Sequence, residues 1–182
     1  MAQDRVAAAL SQIPDKRLIN LFLNMFRYLR LVDLPSTVGI NAGSTLSLVP
    51  LNHAGRVISL NAAAGSVVTL PAATGTGEKY KFLVSAIATS NSHVVKVANA
   101  TDFMIGSILG VSDDPATAKG WISINSGTVA TNSDTVTLNR STSGSVTAGE
   151  WFEVQDVSAN TWSITGVITQ NGTEVTPFTA GV

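Results

Sequence analysis

Few side chains in this sequence have the type and spacing to do chemistry. His53 and His93 are the only two histidines, and so the only side chains that titrate near neutral pH without perturbation. They form no HxH or HxxxH pair suited to a metal ion. His93 precedes Val94-Val95 at the start of an expected strand, which predicts a rim position, and His53 falls in a loop. A serine nucleophile needs an elbow such as GxSxG. Gly65-Ser66 and Gly144-Ser145 read instead as turns. Asp113 and Asp114 are adjacent, so in extended chain they point apart. Glu150, Glu153 and Asp156 are the acids that best fit the carboxylate pair of glycoside hydrolysis. Glu153 shares a strand face with Trp151, which resembles a sugar-binding surface, but the stronger reading is a ring that covers a core edge beside an acid that keeps an exposed face soluble. Gly75-Thr76-Gly77 precedes a strand rather than a helix N-terminus, so it is a poor phosphate loop. With no cysteine there is no thiolate, no disulfide and no cysteine metal site. These residues predict no catalytic group, no metal site and no cofactor.

The elements that carry them fall into two regions, an N-terminal helical arm at 1–35 and a β domain at 36–182. Residues 2–12 favour helix, and Pro14 breaks them from a longer helix over 15–34. On a wheel of 3.6 residues per turn, Leu18, Leu21, Phe22, Met25, Phe26, Tyr28, Leu29 and Val32 share one half. Lys16, Asn20, Asn24, Arg27 and Arg30 take the other half, together with Leu23 and Leu31. An apolar stripe of about 100° suffices for a surface helix, and this one is wider. Leu18, Phe22, Met25, Phe26, Tyr28 and Leu29 are therefore expected to contact copies of the chain or a larger scaffold. The two leucines on the polar side argue against a helix lying in a membrane interface, and the polar interruptions argue against a span.

After Pro35 the composition turns to Ser, Thr, Ala, Gly and Val. Short β-branched runs alternate with turn residues, predicting strands near 45–49, 56–60, 66–70, 80–87, 93–98, 103–109, 120–124, 135–138, 151–157, 162–168 and 174–178. With no helix between them, the expected fold is mainly β: an antiparallel sandwich or barrel, jelly-roll-like. Asn171-Gly172 is a hairpin signal, and Ser158-Ala159-Asn160 joins two tryptophan-led strands. A loose echo links 42–46 with 64–68, Ala-Gly-Ser followed by β-branched or aliphatic residues.

Charged residues make up only 13% of the chain and the net charge is −1, against a usual charged share of about 25%. That balance gives no pull toward nucleic acid or membrane and suits a subunit of an assembly.

Four stretches carry a resemblance. They are the strand Gly55-Arg56-Val57-Ile58-Ser59-Leu60, then Val67-Val68-Thr69-Leu70-Pro71, then Tyr80-Lys81-Phe82-Leu83-Val84. The fourth is Gly149-Glu150-Trp151-Phe152-Glu153 with Trp162-Ser163-Ile164-Thr165-Gly166. Together they resemble the small β-rich virion proteins of tailed phages that decorate or cement capsids or form head fibres. The resemblance implies a structural protein on the capsid surface of a virion, a homotrimer bound to the major capsid protein across capsomer junctions. The alternative it implies is a host-recognition fibre or baseplate module that binds glycan through Trp121, Trp151 or Trp162.

Overall fold

The computed structural model describes residues 39–114 and 117–182, together with Asn20, Leu21 and Asn24. Those three N-terminal residues are helical and exposed, Leu21 included. The other predicted arm contacts, Leu18, Phe22, Met25, Phe26, Tyr28 and Leu29, lie outside the described residues. The chain divides into two compact units, Met1–Pro35 and Ser36–Val182.

The second unit is mainly β, built from two mixed sheets. Its strands are β1 (Ile40–Asn41), β2 (Thr45–Ser47), β3 (Val57–Leu60), β4 (Val67–Thr69), β5 (Lys79–Val84), β6 (His93–Lys96), β7 (Phe103–Ser112), β8 (Ala118–Ile122), β9 (Thr135–Leu138), β10 (Trp151–Ser158), β11 (Thr161–Gln170) and β12 (Phe178–Thr179). One short helical turn, α1 (Pro50–His53), sits between β2 and β3, with proline in the first turn, where its missing N–H costs nothing. The larger sheet runs β1-β3-β5-β10-β11-β7-β8, and the smaller runs β12-β9-β6-β4-β2.

A sandwich is what the strand spacing predicts, but the pairing is mixed rather than wholly antiparallel. From β1 to β6 the chain alternates between sheets, and each pass lies parallel on the one before: Ile40 opposite Ile58, Ile58 opposite Phe82, Leu46 opposite Val68, Val68 opposite Val95. A parallel pair needs a long crossover. Here the crossover is a strand of the other sheet, so no helix is required. The echo of 42–46 in 64–68 is one such stacked turn, with Thr45-Leu46-Ser47 in register with Val67-Val68-Thr69. The Val67 N–H donates to the Ser44 carbonyl at 2.9 Å, and Val94 repeats this to Ser66 at 2.8 Å. Gly65 is left-handed at φ +96, and a Cβ there would lie 2.5 Å from the Ser92 carbonyl oxygen of the next turn. The β10–β11 hairpin then enters antiparallel to β5, and β7 closes parallel to β11 over ten residues. Asn171-Gly172 does not make a hairpin, because β12 crosses to the other sheet and pairs with β9.

One apolar core lies between the sheets. Ile58, Leu60, Phe82, Phe152, Trp162 and Ile164 come from the larger sheet, and Val68, Val95, Val136 and Leu138 from the smaller. Phe82 stacks on Phe152 at 4.9 Å between centroids, and Tyr80 tilts against Trp162 at 5.9 Å. Burying each such ring stabilises the fold by on the order of 2 kcal/mol.

Candidate functional site

The buried ionisable groups fasten the backbone. Asp156, 1% exposed at the end of β10, accepts backbone N–H groups from Thr74, Gly75 and Thr76 and hydroxyls from Thr74 and Thr76. Burial pushes its pKa upward, but the bonds from Thr74, Gly75 and Thr76 outweigh that and hold the carboxyl below its usual range. Glu150, at the other end of β10, accepts the N–H groups of Ser145, Val146 and Thr147 at 2.6–2.7 Å. Its pKa is raised, because burial outweighs those bonds. Asp134 accepts from Gly181 and Val182, and Asp102 from Ala73 at 2.9 Å. Each fixes a loop or terminal segment whose N–H groups have no strand partner.

The glycosidase arrangement is not assembled. Six residues of extended strand put Glu150 and Asp156 about 20 Å apart, whereas a hydrolytic pair stands about 5–9.5 Å apart. Glu153 points to the opposite side of the sheet from Asp156 and pairs with Lys79 at 3.4 Å. Among the described residues no group of three histidines or acids could hold a metal ion.

His93 is not at the rim but fully buried. Its Nδ1 accepts the Ser66 N–H at 3.0 Å and its Nε2 donates to the Ala86 carbonyl at 2.8 Å, which fixes the neutral Nε2–H form. Burial lowers its pKa despite the Ala86 bond. His53 ends α1, where its Nδ1 accepts the Val49 N–H at 2.8 Å, a cap for the turn.

The three tryptophans do not converge. Trp162 is fully buried against Tyr80, so it offers no face to a glycan. Trp121 packs partly against the core, and its Nε1 donates to Gln170 Oε1 at 2.6 Å. Trp151 alone reaches the outer face of the larger sheet, where Lys81 Nζ lies 4.6 Å from its ring centroid. Beside it is a depression of about 310 Å³, lined also by Thr147, Val167 and Thr169.

That outer face is the surface feature sequence reasoning missed. Leu83, Trp151, Val167 and Leu109 are register partners in one row across β5, β10, β11 and β7. Ile105 and Val111 on β7, Ile122 on β8 and Val57 on β3 extend it, with Ile122 76% exposed. The signal was present in β7, Phe-Met-Ile-Gly-Ser-Ile-Leu-Gly-Val-Ser, which is apolar at both parities. A strand with one solvated face normally alternates. Among the described residues no helix is long and apolar enough to cross a membrane. Comparison of the chain with protein-family models, with curated proteins and with solved structures finds no match.

Proposed function

We propose that this chain is a non-catalytic structural subunit that decorates a tailed-phage capsid, binding the major capsid protein across capsomer junctions. The observation that carries this reading is how the polar groups are used. Each buried carboxylate of the described β unit accepts backbone N–H groups. The described β unit also carries an exposed apolar row across its larger sheet, the kind of feature that marks an interaction surface. The mechanism is mass action: a protein that binds only the assembled shell stabilises that shell. The test is to purify particles and measure this chain's copy number against the shell subunit. A fixed ratio, with particles that open at lower temperature when the chain is stripped, supports the reading. Its absence from purified particles would sink it.

A second reading, a glycan-binding fibre or baseplate module, rests on Trp151 and its adjoining depression. Loss of glycan binding in Trp151→Ala would favour it over the first.

A further inference from the structure

We infer that the outer face of the seven-stranded sheet is a self-association surface, and that its occupant is a second copy of this chain packed face to face across a twofold axis. The inference rests on the reading of the chain as an assembly subunit and deepens it, since it gives the exposed apolar row to a second copy and leaves the shell to other faces.

Size is the first argument. Seven strands are separated by six spacings of about 4.8 Å, and outward side chains along a strand repeat about every 6.8 Å. The strands β1, β3 and β8 are short, so they add fewer outward positions than β5, β10, β11 and β7, and at about 32 Å² for each position the face is on the order of 700 Å² before side-chain margins. A stable pair of proteins covers about 800 Å² on each partner. Composition is the second argument. The central row Leu83, Trp151, Val167 and Leu109 is apolar, and the row beside it holds Thr165 and Ser107 between Glu153 and Ile122. Trp151 is the kind of aromatic anchor that concentrates binding energy. Charge is the third. The face carries Lys79, Lys81 and Glu153, with Lys79 already paired to Glu153. The net of +1 per face is small, and the Lys81 ammonium already rests over the Trp151 ring, so salt-screened repulsion opposes the pairing of two copies only weakly. A single patch used by both partners is isologous and closes in pairs, and two such sheets pack about 10 Å apart.

The test is sedimentation of the full chain at tens of micromolar, comparing wild type with Leu109→Lys/Val167→Lys. Both side chains are already exposed, so the substitutions leave the fold intact. Thermal melting checks this, and Thr165→Arg on the same face is the substitute should the double variant fail to fold. The expected result is that the variant halves the sedimented mass, while Val67→Lys, exposed on the smaller sheet, leaves it unchanged. A wild type that sediments as a monomer would overturn the inference. So would a mass the double variant does not change, a trimer that falls to monomers, or a Val67→Lys control that dissociates equally.

Discussion

The carboxylate of Asp156 accepts the backbone N–H of Gly75 at 2.7 Å, although eighty-one residues separate them. Four further bonds from Thr74 and Thr76 complete the clamp, tying the loop before β5 to the end of β10. Asp156→Asn keeps the shape but turns an amide toward donors. We expect it to lower unfolding stability by about 2–4 kcal/mol, read from denaturant melts. The depressed carboxyl contributes stability that is complete above the unfolded pKa and is lost as pH falls through the folded value. The wild type should therefore lose more stability than the variant below about pH 4.

His93 makes the opposite use of burial. Its folded pKa is lowered, so below the unfolded value of about 6.5 the unfolded chain binds a proton that the folded chain resists. Stability should fall from pH 7 toward pH 5, by at most about 1.4 kcal/mol per pH unit from this group. His93→Gln should be less stable at pH 7 and should lose that slope. An equal slope in the variant would assign the acid sensitivity elsewhere.

Gly110 and Gly120 lie on neighbouring strands and should respond unequally. A Cβ at Gly110 would lie 2.0 Å from Gln170 Oε1, the acceptor of the Trp121 bond, whereas at Gly120 it would meet nothing within 4 Å. Gly110→Ala should cost about 1–3 kcal/mol and shift the Trp121 emission as its hydrogen bond is displaced. Gly120→Ala should stay within about 0.5 kcal/mol of wild type.

Phe82→Ala opens the stacked pair with Phe152 in the centre of the core. A loss of about 3–5 kcal/mol is expected, against less than about 1 kcal/mol for Leu109→Ala on the outer face. Comparable losses at the two positions, measured at concentrations where the chain is monomeric, would mean that Leu109 is covered within the subunit.

Most strands were legible in the sequence because β-branched runs bounded by turn residues are a local signal. The runs at 135–138 and 151–157 match β9 and β10 within one residue. Pairing was not legible, since it depends on where the chain returns. Parallel neighbours usually announce themselves through a helix between them, and here the return path is a strand. The Ala-Gly-Ser echo was the visible trace of that stacking. The acids and His93 were misplaced for a related reason. Asp156 has its partners at 74–76 and His93 has one at 66, too far along the chain for any spacing rule to join them. Trp162 looked like a surface ring, yet it shares the inward parity of Ile164 and Ile168.

The first six strands also bear on how such a chain can change in length. Within the stack each turn pairs with the next, β1 with β3 and β3 with β5, β2 with β4 and β4 with β6, and the segment carrying Ala42-Gly43-Ser44 is followed twenty-two residues later by its counterpart at Ala64-Gly65-Ser66. Architectures of this kind grow by tandem copying, because an inserted unit finds the same neighbours as the one it was copied from. Evolution or an engineer could therefore make the body taller or shorter in whole steps while the hairpin of β10 and β11 stays as it is.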